Sequence, residues 1–170
     1  MSATITAPSN AAARAGKYLT FALGTEEYGL EILKVREIIG YMDITAVPRT
    51  PSHIRGVINL RGQVISVTDL RRRFGMPEAA KTEQTCIIVV EIGFEGRRVS
   101  MGIVVDRVSE VLNIPAQNIE DAPSFGANID TSFILGMGKI GSSVKMLLDI
   151  DKVLSATETA EIEAIAKQAA

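Results

Sequence analysis

The chain has 170 residues, 46% of them hydrophobic, which is enough for the core of one ordinary domain or two small ones. Eighteen basic and 20 acidic residues leave a net charge of -2, so we expect no nucleic acid partner. The first residues lack a basic signal region, and the longest aliphatic runs are too short to span a bilayer. We therefore expect a cytoplasmic protein without direct membrane insertion.

The N-terminal part predicts a leader followed by a β-hairpin. Residues 1–16 are rich in Ala, Ser, Thr and Pro and almost lack large apolar side chains, which predicts a flexible leader. Leu19, Phe21 and Leu23 then alternate with smaller or polar residues. The Gly-Thr-Glu-Glu turn that follows leads into a second short strand from Tyr28, as is typical of a hairpin.

A second hairpin and a capped helix are expected next. Strands are predicted at 54–60 and 64–68, on either side of a turn. Asp69 is placed to cap a short helix over 70–74, and Gly75 is placed to end it. This half of the chain therefore predicts strands that close with one turn of helix.

The remaining segments predict a linker, two more strands and a terminal helix. Residues 77–84 are polar and rich in turn formers, as linkers are. Strands are expected at 86–92 and 99–105. A capping-box spacing opens residues 155–170, which we predict to be a C-terminal helix.

An internal repeat has the largest consequence for the architecture. Residues 29–39 match residues 102–112 without gaps, and residues 54–74 match residues 134–154 in the same order. Chance similarity of short aliphatic strands is the alternative. The preserved order favours duplication.

Duplication predicts a mostly β protein with two related halves. A domain over 17–154 would contain a first half at about 17–75 and a second half at about 84–154. Several short strands that end in a small capped helix suit a small barrel better than an open sheet with exposed edges. Two barrels side by side leave a groove, and a groove is a natural binding site.

One motif resembles a phosphate-binding loop. Residues 136–141 spell G-x-G-x-x-G, which can cradle a pyrophosphate between a strand and a helix. The matching residues 56–61 of the first half do not form such a loop. A small nucleotide-binding enzyme is therefore the minor alternative for the function of the chain.

Catalytic and metal sites are not expected. His53 is the only histidine, so a nucleophile lacks the usual base. Asp149 and Asp151 suggest a metal site, but no His or Cys joins them, and Asp149 matches the predicted cap Asp69. We predict no enzyme activity, no catalytic residue, no metal and no cofactor. The basic run 71–73 is interpreted as the solvated face of the short helix.

Two charged residues stand among apolar ones. Glu37 lies in an aliphatic segment, and Arg61 lies at the tip of the second predicted hairpin. They are either independently exposed, as most charged residues are, or paired beside a binding surface. The nearby apolar positions leave a similar choice between a core and a groove for a partner helix, namely Leu19, Ile32, Val35 and Ile38.

The residues also carry a family resemblance. The Asn-Leu-Arg-Gly turn at 59–62, the segment 104–108 and the ending at 149–154 occur in the order found in the CheW-like family of chemotaxis coupling proteins. The chain resembles this family from about Lys17 to Leu154. The kinase CheA and the CheV adaptor share the module, but no kinase core or receiver domain fits in 170 residues.

The resemblance implies both a fold and a set of partners. The fold would be two SH3-like five-stranded β-barrels from an internal duplication, with strand exchange between them as an option. The chain would be a non-catalytic adaptor that binds methyl-accepting chemotaxis receptors and the CheW-like regulatory domain of the histidine kinase CheA. It would be recruited to receptor arrays at the inner membrane, where other CheW copies are further partners. The alternative is a CheW-like coupling protein with a non-chemotactic output, such as pili or a second messenger.

Candidate site residues follow from the resemblance by position. The receptor groove would be lined by apolar residues, namely Leu19, Ile32, Val35, Ile38 and Val108. The charged pair of the family corresponds to Glu37 and Arg61. A kinase contact is expected at Ile44, Val47 and Phe125. Glu120 and Asp121 stand near Phe125 where some relatives carry a basic residue, which weakens that last assignment.

Overall fold

The computed structural model describes residues 14–94, 96–123 and 132–154. Strands dominate these residues, and some of them alternate buried and half-buried side chains, as a period of two requires, for example residues 54–58. The strands are β1 Gly16–Leu23, β2 Glu26–Glu31, β3 Val35–Gly40, β4 Ile54–Leu60, β5 Gln63–Asp69, β6 Cys86–Phe94, β7 Arg97–Val105, β8 Arg107–Ile114, β9 Ile119–Glu120, β10 Ile134–Ile140 and β11 Ser143–Leu148. The helices are α1 Leu70–Arg73 and α2 Ile150–Val153, and 3₁₀ turns span Ile32–Lys34 and Ala116–Asn118.

The strands form two sheets within the described residues. Sheet A has six strands in the order β8-β1-β2-β11-β10-β9, and sheet B has five strands in the order β3-β6-β7-β5-β4. The prediction of a mostly β fold with two sheet subdomains is confirmed. The two-residue strand β9 makes sheet A one strand larger than the predicted five.

Each sheet contains a hairpin from the other half of the sequence. The hairpin β1–β2 lies in sheet A with β8 to β11, and the hairpin β6–β7 lies in sheet B with β3 to β5. Each hairpin is joined to the other half on both sides, by the parallel pairs β2 with β11 and β5 with β7 and by the antiparallel pairs β1 with β8 and β3 with β6. Neither sheet is therefore complete without residues from both halves.

The two parallel pairs share one register. Gly102 of β7 pairs with Val67 of β5, and Gly29 of β2 pairs with Leu147 of β11. A Cβ atom on Gly102 would lie 3.4 Å from Val67, and one on Gly29 would lie 2.9 Å from Leu147. The glycines are equivalent in the sequence repeat, and each leaves room for an aliphatic side chain of the parallel neighbour. These matched registers support the duplication.

The described residues bury three apolar clusters. One lies within sheet B around Ile58 and Val89, and one lies within sheet A around Tyr18 and Ile114. The largest combines side chains of both sheets and both helices, including Phe21, and is shared between the halves. Because the shared cluster is the largest, most of the apolar burial depends on both halves being present.

Each helix is capped by the aspartate that the sequence predicts. Asp69 accepts hydrogen bonds from the backbone N–H groups of Arg71 and Arg72, at 3.0 and 3.4 Å. Asp149 accepts one from the backbone N–H of Lys152 at 3.4 Å. Capping therefore accounts for Asp149, the residue that also suggested a metal site.

The glycine-rich motif at 136–141 belongs to a strand and a turn. Most of it lies in β10, and Gly141 begins the turn to β11 with φ of 60°. A phosphate loop needs backbone N–H groups that converge at a helix N-terminus, and here the motif leads into a hairpin.

Among the described residues, no helix is long and apolar enough to cross a bilayer.

The chain ends are described only in part. Residues 1–13 of the predicted leader and the predicted helix at 155–170 lie outside the described residues. Gly16 already begins β1, and Arg14 donates hydrogen bonds of 2.8 Å to the Leu135 carbonyl and to Asp121. The last residues before β1 are thus attached to sheet A.

Two equivalent glycines allow another segment to approach a strand closely. A Cβ on Gly56 of β4 would lie 2.0 Å from the Thr45 carbonyl oxygen, and one on Gly136 of β10 would lie 2.7 Å from Ile119. The approach of Thr45 permits its backbone to pair with Val57, by two hydrogen bonds of 2.9 Å. A side chain at Gly56 would break this contact.

We predict that Gly56→Ala lowers the free energy of unfolding by about 2–3 kcal/mol. The new methyl group collides with the Thr45 carbonyl, and φ at this position is 143°. Urea denaturation measures the change. Gly93→Ala is the matched control in a strand, because a Cβ there meets nothing within 4 Å. Equal stability of the two variants would contradict the predicted close packing.

Candidate functional site

The structure brings Glu37 and Arg61 together. Glu37 lies in β3, at a bulge where the pairing with β6 shifts, and Arg61 lies in the turn between β4 and β5. The Arg61 guanidinium donates a hydrogen bond to the Glu37 carboxylate. The Arg61 side chain is 66% exposed and the Glu37 side chain is 24% exposed, so the pair lies at the surface.

The turn places Arg61 in an unusual backbone conformation. Arg61 has φ of 52° and Gly62 has φ of 88°, as a two-residue hairpin loop with the right-handed twist of the strands requires. Asn59 supports the turn, since its side-chain oxygen accepts a 2.8 Å hydrogen bond from the Gly62 backbone. At the equivalent position the second half has Gly141, the usual residue for positive φ. The first half therefore keeps a less favoured residue whose side chain reaches Glu37.

The charged pair also affects how Glu37 titrates. The hydrogen bond from Arg61 holds the pKa of the Glu37 carboxyl below its usual range. Glu37 consequently stays ionised, and the pair stays intact, at pH values where an isolated glutamate would already take up a proton. At neutral pH the surface beside β3 carries a fixed, neutralised pair.

The five predicted groove residues occupy different depths. Leu19 is 2% exposed and belongs to the shared core, whereas Ile38 is 45% exposed. Ile32, Val35 and Val108 are half-buried and pack against the shared core. Leu19 therefore lies beneath this surface, and the other four can contact a partner. We call these four residues the inter-sheet groove.

Three of the four residues of the inter-sheet groove lie on edge strands of the two sheets. Val35 and Ile38 lie on β3, at the edge of sheet B, and Val108 lies on β8, at the edge of sheet A. Cys86 of β6 pairs with Gly40 of β3, and its side chain lies near the Val108 backbone. This contact brings β8 alongside sheet B. Burial raises the pKa of the Cys86 thiol, which disfavours the reactive thiolate.

The predicted kinase-facing residues lie elsewhere. Ile44 is half-buried and packs against the inner core of sheet B, and Val47 is half-buried in the same loop, where its carbonyl accepts a 2.9 Å hydrogen bond from Thr50. Phe125 lies outside the described residues. The acidic residues before it are paired, Glu120 with Lys139 and Asp121 with Arg14.

Sequence reasoning missed the contacts of the three consecutive arginines. Arg71 donates to both carboxylate oxygens of Asp106, at 2.8 and 2.5 Å. Arg72 pairs with Glu78, and Arg73 donates to the Val153 carbonyl at 3.1 Å. The prediction of a solvated basic face is therefore wrong. Guanidinium groups on a short helix that packs against a core need nearby acceptors, but the sequence does not say which distant groups supply them.

We predict that Asp106→Asn lowers the free energy of unfolding by about 1–3 kcal/mol at pH 7. The hydrogen bonds from Arg71 hold the pKa of Asp106 below its usual range. This stabilisation is fully present above the unfolded-state pKa of about 4, and it is lost as the pH falls through the lower folded-state value. The difference between wild type and variant should therefore shrink in acid.

Urea denaturation at pH 7 and at about pH 3 measures this difference. The exposed Asp43 provides the control, since Asp43→Asn removes a carboxylate from a surface loop. A difference between Asp106→Asn and wild type that stays constant with pH would contradict the role of the Asp106 charge.

Comparisons with known proteins show the family of the chain. The family model of the CheW-like domain matches residues 17–158. The chain belongs to this family. Chemotaxis protein CheW from Klebsiella aerogenes is 43% identical over 151 residues, which is 89% of each chain. Protein FrzA from Myxococcus xanthus is 31% identical over 153 residues, covering 89% of this chain and 91% of the relative.

A solved structure shares the fold. The scaffolding protein TtCheW from Thermoanaerobacter tengcongensis aligns with a TM-score of 0.73 and 35% identity, over 85% of this chain and 95% of the other. These similarities show that the CheW-like chain is a non-catalytic scaffold of the chemotaxis type. The prediction that it is not an enzyme is confirmed.

Proposed function

We propose that this CheW-like chain couples the cytoplasmic tip of methyl-accepting chemotaxis receptors to the histidine kinase CheA. The observation that carries the proposal is the inter-sheet groove, in which three half-buried apolar side chains on the shared core and the exposed Ile38 lie near the Glu37–Arg61 pair. The relative from Klebsiella aerogenes supports it, since a protein named Chemotaxis protein CheW matches 89% of this chain.

The receptor would bind as an amphipathic helix. Ile32, Val35 and Val108 present only part of their surface, so a partner must bring a narrow apolar stripe to them. A helix provides such a stripe through residues three and four positions apart, and recognition of a helix in a groove uses such anchors. The neutralised Glu37–Arg61 pair would then face the polar side of that helix.

The kinase would bind a different surface. Ile44 and Val47 lie in the loop that follows β3, on the side of sheet B that packs on its inner core. Separate surfaces allow one chain to hold both partners at once, which is the requirement for an adaptor. We propose a cytoplasmic location at receptor arrays, where Phe125 and other copies of the chain would provide further contacts.

We predict that Val35→Asp or Ile38→Asp weakens binding of a receptor cytoplasmic fragment at least tenfold. A carboxylate in the groove must lose its hydration when an apolar helix covers it. Isothermal titration calorimetry with the fragment measures the affinity, and kinase binding should stay near that of wild type.

Val64→Asp is the matched control for these variants. Val64 is an aliphatic residue that is 66% exposed on β5, and it is not one of the four groove residues. The same charge at this position should leave receptor affinity unchanged. If Val35→Asp and Ile38→Asp bind the receptor as tightly as Val64→Asp does, the groove is not the receptor site.

The Glu37–Arg61 pair can be tested by a double-mutant cycle on receptor binding. Glu37→Ala and Arg61→Gly each remove one partner, and we expect their effects to be non-additive, because the second change finds the pair already broken. Arg61→Gly suits this cycle, since glycine accepts the positive φ and matches Gly141 of the second half. The hairpin should therefore remain folded.

Chemical denaturation of the same variants checks that the fold is intact. A coupling energy near zero would show that the two residues act independently in binding. A fall in stability that parallels the fall in affinity would instead assign the pair a structural role.

A further inference from the structure

Two ion pairs join the helices to the strands that carry the inter-sheet groove. In one, Arg71 of α1 donates to Asp106 between β7 and β8 at 2.8 and 2.5 Å. In the other, the Lys34 ammonium donates to Asp151 of α2 at 2.8 Å. Lys34 ends the 3₁₀ turn that leads into β3. Each helix is thus tied to the start of one edge strand.

The two ion pairs occupy related places in the repeat with opposite polarity. Arg71 and Asp151 are equivalent in the matched segments 54–74 and 134–154. In the matched segments 29–39 and 102–112, Asp106 lies one position before the counterpart of Lys34. In the first ion pair the helix carries the cation, Arg71, and in the second ion pair the helix carries the anion, Asp151. The attachment has therefore been kept in both halves although the charges are exchanged.

Each of the two ion pairs contains a residue that lies one or two positions before a groove residue. Asp106 lies two residues before Val108, and Lys34 lies directly before Val35. Asp106 also accepts a 2.7 Å hydrogen bond from the Gly24 backbone, in the turn between β1 and β2. The positions of Val35 and Val108 therefore depend on residues that themselves lie outside the groove.

The helices are also tied to each other. Arg73 of α1 donates a 3.1 Å hydrogen bond to the Val153 carbonyl of α2. Beside this contact lies a cavity of about 350 Å³, lined by Tyr28, Arg73, Phe74, Phe133, Met146 and Val153. The Phe74 ring packs 5.8 Å from Tyr28 and 5.7 Å from Phe133, centroid to centroid. A continuous series of contacts thus runs from Val108 through both helices to Val35.

We infer that Lys34, Arg71, Asp106 and Asp151 are positioning residues that set the spacing of the two sides of the inter-sheet groove. We call these four residues, with the Arg73–Val153 contact, the helix brace. The inference rests on the proposed function, since it assigns a role in receptor binding to residues that do not touch the receptor. Breaking the brace should let β3 and β8 move relative to each other and weaken binding.

The sharpest test exchanges the charges of the second ion pair. Lys34→Asp and Asp151→Lys each place like charges together, and the double variant restores an ion pair with reversed polarity. We expect each single variant to weaken binding of a receptor cytoplasmic fragment roughly two- to tenfold, and the double variant to bind within about twofold of wild type. Calorimetric titration at low salt gives the affinities.

A control must separate positioning from general stability. Ile65→Val in the inner core of sheet B, where Ile65 is 4% exposed, destabilises the fold without touching the helix brace. If the brace acts by position, Ile65→Val should keep wild-type affinity although its melting temperature falls. Equal affinity loss in Ile65→Val and in Lys34→Asp would overturn the inference.

A second measurement does not depend on any receptor. Spin labels at Ile38→Cys and Val111→Cys, on a Cys86→Ala background, report the distance between β3 and β8 at two exposed positions. Lys34→Asp should broaden or shift this distance distribution, and adding Asp151→Lys should restore it. An unchanged distribution in Lys34→Asp would overturn the inference.

The outcomes separate this inference from the proposed function. If the wild-type chain does not bind receptor fragments, the proposed function fails, and the spin-label distances still decide whether the brace sets the spacing. If wild type binds, Val35→Asp does not, and all charge-exchange variants bind like wild type, the receptor site stands and the helix brace is rejected.

Discussion

The parallel pairing of β2 with β11 and of β5 with β7 is the contact on which the rest of the structure depends. Each pair joins a hairpin from one half of the sequence to strands from the other half. Gly29 permits the close approach of β2 and β11, because a Cβ there would lie 2.9 Å from Leu147. The halves are therefore parts of one folding unit, and the largest apolar cluster lies between them.

The same exchange creates the surface that we assign to partner binding. It leaves β3 and β8 at the edges of different sheets and brings Val108 close to Cys86 in the other sheet. Ile32, Val35 and Val108 pack against the shared core, which supports this surface from below. The helix brace and the Glu37–Arg61 pair lie at its margins. In the function that we propose, polar contacts would fix the geometry of this surface and apolar burial would supply its affinity.

Much of this fold could be predicted from the sequence, because its signals are local. Hairpins followed from alternation, both helix caps from Asp69 and Asp149, and the architecture from the repeat. The Glu37–Arg61 contact remained an open choice, since nothing local specifies which distant charges meet. The arginine run was misinterpreted for the same reason: its acceptors Asp106 and Val153 are distant in sequence. The depth of Leu19 depends on how two sheets face each other, which periodicity cannot show.

The exchanged hairpins also determine when the chain can fold during synthesis. β1 and β2 emerge from the ribosome first, yet their neighbours β8 and β11 are among the last strands to appear. Contacts between such distant segments slow folding, and an incomplete sheet exposes unpaired edges meanwhile. Sheet B, by contrast, has all its strands once residue 105 has been made. The nascent chain would therefore complete sheet B, which carries Glu37 and Arg61, before sheet A. Until β8 and β11 have been made, the hairpin β1–β2 has no neighbouring strands.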